Sequence, residues 1–270
     1  MTEPVTEPRE GWDCHVHVFD RSAEASRGHY QPVDRPLAQI EAVAEAHGVH
    51  HLVLVQPSVY GCDNSLLMRA LGVAPGRHRG VVVLDDRNDE RDLDAMHACG
   101  VRGARLNLVS PVGERAGVAA RFAAIAPSLR RHGWHLQWYA RPEHLSEVAR
   151  LHRDSGVTCV LDHLAGFGLD VSADDPAWVP LGALARQGAW IKLSGWYRLR
   201  ASEPYAELMP QVRRVCDLFG ERIVWGSDWP HTLFAPDAIP SYESTWRPVA
   251  EALGREGAER ILRRVPSIYM

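Results

Sequence analysis

The chain has 270 residues, of which 46% are hydrophobic, 24% charged and 8% aromatic, a composition that excludes a disordered tail or a fibre and suits a globular protein with a large core. Thirty basic residues against 34 acidic ones leave a net charge of −4, and no unopposed basic face is present to grip phosphates, so nucleic acid is not an expected partner. No apolar run approaches the ~20 residues of a membrane span, so no membrane partner is expected either.

Short apolar, β-branched runs recur along the chain: DCHVHV (13–18), HLVLVQ (51–56), GVVVL (80–84), ARLNL (104–108), HLQWYA (135–140), CVLDHL (159–164), WIKLSG (190–195) and IVWGSDW (223–229). These predict eight strands. Helical periodicity fills the gaps at 36–47, 64–73, 90–98, 115–131, 142–153, 176–186 and 204–219, several stretches opening on Pro or an Asn/Asp cap. Strands alternating with helices predict a parallel sheet, and eight repeats in this length predict one (β/α)8 barrel spanning 1–270 as a single domain. An open doubly wound sheet would announce a glycine-rich phosphate loop after its first strand, and here no glycine follows until Gly28.

In a barrel, the reacting groups sit at the C-terminal ends of the strands. His15 and His17, two apart on the first strand, are expected to point the same way, inward. His163 ends the sixth apolar run and Asp228 the eighth, so all four are expected at one mouth. Taken singly, each is as well explained by core hydrogen bonding or capping; the convergence of four reverses that. Arg105 lies within the fourth run and Arg198 follows the seventh, both suited to gripping a carboxylate in bidentate fashion. Ser58, Tyr60, Gln137, Tyr139 and His231 are further candidates for hydrogen bonds to substrate. Trp138, Trp196 and Trp229 either wall the pocket or simply pack, and the loops 19–36 and 168–178 are long enough to act as lids. The cysteines, Cys14, Cys62, Cys99, Cys159 and Cys216, have no CxxC spacing and read as buried thiols in a reducing compartment. The N-terminus lacks a secretory signal pattern, so a cytoplasmic location is expected. GxSxG, GxxxxGK[ST] and post-strand GxGxxG motifs are all missing.

The ordered set of HVH, the DH of LDHLAGFG and GSDWPH resembles the amidohydrolase superfamily. More narrowly, HLVLVQPSVYGCDN, RGARLNL, LDHLAGFG and RIVWGSDWPHT are similar to the branch of pyrone-dicarboxylate and sugar-acid lactonases. The resemblance implies a hydrolase opening the cyclic ester of a small carboxylic or sugar acid, with Asp228 as general base and His15, His17 and His163 polarising the carbonyl. It also implies that binuclear members use a strand-four lysine, whereas the only lysine here is Lys192, on the seventh run; a binuclear centre is therefore not expected. What remains is either one divalent ion, zinc first among them, on His15, His17, His163 and Asp228, or no cofactor at all, and the expectation favours the metal-free site. In the dicarboxylate members a second arginine follows the strand-four motif, where this chain has Val109, Ser110 and Pro111, which puts a dicarboxylate substrate in doubt. Val265 replaces the usual asparagine of the closing segment. The rival readings are a metal-dependent decarboxylase of an aromatic or unsaturated acid, and a catalytically silent ligand-binding relative. A small carboxylate-bearing molecule is the expected partner, and self-association stays open.

Overall fold

The computed structural model describes residues 11–25, 30, 32–85, 88–111, 113, 117–232, 234 and 238–270. Eight strands pair in chain order, every neighbouring pair parallel: β1 (Gly11–Val16), β2 (Val49–Val55), β3 (Arg79–Val82), β4 (Val101–Asn107), β5 (His135–Tyr139), β6 (Cys159–Leu161), β7 (Trp190–Leu193) and β8 (Ile223–Trp225). The last strand returns to the first through a parallel bridge between Val16 and Trp229. The result is a (β/α)8 barrel.

Helices α1 (Leu37–Glu45), α2 (Ser65–Val73), α3 (Glu90–Ala98), α4 (Val118–His132), α5 (Leu145–His152), α6 (Trp178–Arg186) and α7 (Met209–Phe219) fall where the periodicity places them. An eighth helix, α8 (Arg247–Arg263), was not among those singled out; it is interrupted at Gly254, where φ is 68° and ψ 169°, so its apolar stripe breaks in the sequence. Residues 115 and 116 at the start of the fourth predicted helix lie outside the described residues, as do 26–29 and 31 of the first loop.

The helices bury their apolar faces against the outside of the barrel, as at Ile40, Leu129, Leu181 and Val212. A second cluster, including Trp12, Val53, Val81, Val160 and Val224, fills the barrel together with Tyr269 of the tail. That tail is pinned by Arg79 Nε donating to Tyr269 O at 2.7 Å and Arg102 Nε to Met270 O at 2.9 Å. Val265, beside it, is exposed. Cys14 and Cys159 are buried, but Cys62 and Cys216 are only partly so and Cys99 is exposed, which corrects the expectation of five buried thiols. Cys99 caps the C-terminal end of α3, on the solvent side.

His152 of α5 illustrates a buried neutral imidazole. Its Nδ1 donates to Val157 O at 3.0 Å and its Nε2 accepts from Trp138 Nε1 at 2.7 Å, and burial pushes it down to about 4. A depressed base gives stability that is present above its unfolded value near 6.5 and is lost as pH falls towards the folded value. From His152 alone, the unfolding free energy at pH 5 is expected to be about 2 kcal/mol below that at pH 7. Urea titrations at the two pH values check this, and His152→Asn should flatten the difference by that amount.

Candidate active site

The mouth is built from residues just beyond the strand ends. A register shift between Asp13 and Val16 interrupts the β1–β2 ladder at His15, the kind of irregularity that re-aims a side chain. His17 is one residue past β1, its Nδ1 donating to Val55 O at 2.8 Å. Since a carbonyl only accepts, Nδ1 carries the proton and Nε2 faces the cavity. His163 and Asp228 lie two and three residues beyond β6 and β8 rather than within them, with φ of 47° and 60°, and His231 has φ 59°. Left-handed backbone at three non-glycine positions costs energy at each, and all three follow the ends of β6 and β8.

Asp228 stands at the centre, fully buried. Its Oδ2 accepts from Tyr197 Oη and Arg198 Nε, both at 2.7 Å. Its Oδ1 faces His17 Nε2 at 3.4 Å, His15 Nε2 at 3.6 Å and His163 Nε2 at 3.9 Å. The four predicted groups are therefore together. Burial would raise the Asp228 carboxyl, but the Arg198 guanidinium, then His163, overrides it and holds it well below the usual range. Burial lowers His163 to about 4 and His231 to about 4, and lowers His15 as well. Asp228 is thus an anion beside two imidazoles, His15 and His163, that resist protonation.

A cavity of about 340 Å³ opens above this centre, lined among others by His17, Ser58, Arg105, Asn107, Tyr139 and Arg198. Arg105 and Arg198 place their guanidiniums 5.3 and 5.8 Å from the Tyr139 ring centre, so two cations flank one wall. Val109, Ser110 and Pro111 line the cavity too. Other predicted contacts lie elsewhere. Tyr60 Oη is spent on the backbone of Asp20, and His231 packs its ring 5.4 Å from Tyr197. Gln137 is fully buried beneath the mouth, between Lys192 and Asp162. Trp138 and Trp196 are buried and hydrogen-bonded, to His152 and to Thr245 O. Of the second predicted lid, Asp170, Val171 and Asp175 line a neighbouring cavity of about 280 Å³, which shares Tyr139 and Arg198 with the first.

Three participants escaped the sequence reading. Tyr197 fixes Asp228, as described. Asp162 accepts from Arg105 Nε at 3.1 Å and Gln137 Nε2 at 3.0 Å, and Lys192 is buried below it. The signal for Asp162 was in the DH pair, but only the histidine was read.

His15, His17 and Asp228 form one group able to hold a metal ion, and His15, Asp162 and His163 another. His15 Nε2 and Asp228 Oδ1 are buried without a hydrogen-bond partner. Buried polar atoms without a partner are costly in a core and are tolerated where chemistry or an ion needs them. Such a mouth belongs to a barrel enzyme. The family profile described as Amidohydrolase matches residues 12–264. The chain is 30% identical over 244 residues to the 2-pyrone-4,6-dicarboxylate hydrolase of Comamonas testosteroni, covering 83% of this chain and 78% of that one. It is 28% identical over 239 residues to the 4-sulfomuconolactone hydrolase of Rhizobium radiobacter, covering 86% and 80%. A Pseudomonas putida structure provisionally assigned as a 2-pyrone-4,6-dicarboxylic acid hydrolase superposes with a TM-score of 0.83 at 31% identity, covering 94% of each chain. The chain belongs to the amidohydrolase family.

Proposed function

We propose that this enzyme opens the lactone of a small carboxylic or sugar acid, with Asp228 taking the proton of the attacking water. The observation that carries the reading is a carboxylate oxygen without a hydrogen bond, Asp228 Oδ1, surrounded by three imidazoles below a cavity with two guanidiniums. A guanidinium has five N–H donors, and Arg198 and Arg105 each hold a buried carboxylate while lining the cavity. Both are placed to receive a substrate carboxylate. As Arg198 engages it, its hold on Asp228 weakens and Asp228 becomes a better base. The proton taken by Asp228 is returned to the leaving alkoxide. Lactone hydrolases among the similar proteins support the reaction class.

The residues fit one divalent ion, since three histidines and a carboxylate are an adequate donor set for zinc and two of the donor atoms lack any other partner. His15, His17, His163 and Asp228 would hold it, where it would polarise the carbonyl and acidify a water. Without an ion, the Arg198 guanidinium remains the positive partner of Asp228.

The test is a panel of carboxylated and neutral lactones, assayed with and without chelator. At least one carboxylated lactone is expected to be hydrolysed, and its uncharged analogue at least tenfold more slowly. A folded protein inert to the whole panel overturns the reading. Turnover that survives chelation assigns the reaction to the protein's own groups; turnover lost on chelation and restored by zinc assigns the polarisation of the carbonyl to the ion.

A further inference from the structure

Below the mouth, Asp162 is fully buried and its two oxygens have different surroundings. Oδ2 accepts from Arg105 Nε at 3.1 Å, Arg105 Nη2 at 3.0 Å and Gln137 Nε2 at 3.0 Å. Three N–H donors saturate it. Oδ1 has no hydrogen bond at all; its nearest groups are His15 Nδ1 at 3.3 Å and Lys192 Nζ at 3.5 Å. Lys192 is committed elsewhere, to Gln137 Oε1 at 2.7 Å and Cys14 O at 2.9 Å. Gln137 therefore joins the two charges, giving its amide N–H to Asp162 and its carbonyl to Lys192.

His15 Nδ1 thus lies between a carboxylate oxygen lacking a donor and an ammonium 3.4 Å away. A buried carboxylate oxygen left unpaired costs more than an ammonium with two short bonds and one long one. The donor it needs is the imidazole N–H. We propose that Asp162, fixed by Arg105, Gln137 and Lys192, is a positioning residue that holds His15 as the Nδ1–H tautomer, so that Nε2 meets Asp228 as an acceptor. Lys192, the only lysine in the chain, is then a strut for Asp162 and not a nucleophile. Arg105 acquires two duties, one edge on Asp162 and its place in the cavity wall, so substrate charge and His15 orientation share one side chain.

The consequence for catalysis rests on the lactonase reading, but the tautomer does not. It is read by long-range 1H–15N correlation spectra of protein carrying 15N-histidine, stripped of metal at neutral pH, with His15 assigned from its loss in His15→Gln. The expected spectrum shows a pyrrole-type Nδ1 and a pyridine-type Nε2. A proton on Nε2 overturns the proposal in the wild-type protein, without any variant. Asp162→Asn is expected to mix the two tautomers and to lower kcat 10- to 100-fold with KM moved less than about threefold, the size of effect seen when the partner orienting a functional histidine is lost. A folded Asp162→Asn protein with an unchanged His15 tautomer also overturns it. Should no lactone be hydrolysed while the Nδ1–H tautomer is found, the lactonase reading fails and the positioning role stands.

Discussion

Asp228→Asn is expected to lower kcat for lactone hydrolysis about 10³-fold while the protein stays folded, the scale associated with losing a general base. The substitution is nearly isosteric. The amide oxygen can still accept from Tyr197 Oη and Arg198 Nε, as Asp228 Oδ2 does, and the amide nitrogen can donate to the acceptors His15 Nε2 and His17 Nε2 that now face Oδ1. What disappears is the site that receives a proton. Steady-state kinetics on a lactone that the wild type opens, paired with thermal melts, checks this. If more than a tenth of wild-type kcat survives in the folded variant, Asp228 is not the base.

Gly226→Ala is expected to lose at least about 3 kcal/mol, at the upper end of the overpacking range, together with about 100-fold in kcat through a misplaced imidazole. A Cβ at Gly226 would lie 2.5 Å from His15 Cβ and 2.8 Å from His15 N. Backbone cannot be relieved by a rotamer change, so the chain after β8 must part from β1 where His17 N donates to Trp229 O and Asp228 N to His15 O. Gly72→Ala is the control, since a Cβ there meets nothing within 4 Å and alanine favours its helix by roughly 0.5–1 kcal/mol. Urea midpoints and kcat of the two variants should move in opposite directions in stability, with kcat changed only at Gly226.

The barrel was legible because its strands are buried on both faces and so read as continuous apolar runs, and because the intervening helices repeat at 3.6 residues. The boundaries slipped where polar residues follow a strand closely. The runs carrying His163 and Asp228 looked like strand to the end, yet β6 stops at Leu161 and β8 at Trp225; left-handed backbone at an ordinary residue has no reliable sequence mark. The cluster His15, His17, His163 and Asp228 was readable from spacing along the repeat, whereas its supports were not. Asp162 and His163 are adjacent and equally polar, and only the fold separates them, His163 facing Asp228 and Asp162 accepting from Arg105 below. Lys192 was noticed for its rarity, but its task depends on Gln137 and Asp162, contributed by β5 and the end of β6. Gln137 and Tyr60 show the converse, polar residues near strand ends whose hydrogen bonds are taken up within the fold.

The seam between β1 and β8 has a consequence for how the protein folds. Ser227 N donates to Asp13 Oδ1 across a separation of 214 residues, so nearly the whole chain must be looped before this contact exists. Closing so long a loop is entropically costly and comes late. Recovery of turnover during refolding should therefore lag behind recovery of helical circular dichroism, and an early, native-looking intermediate would already carry most of its secondary structure while remaining inert.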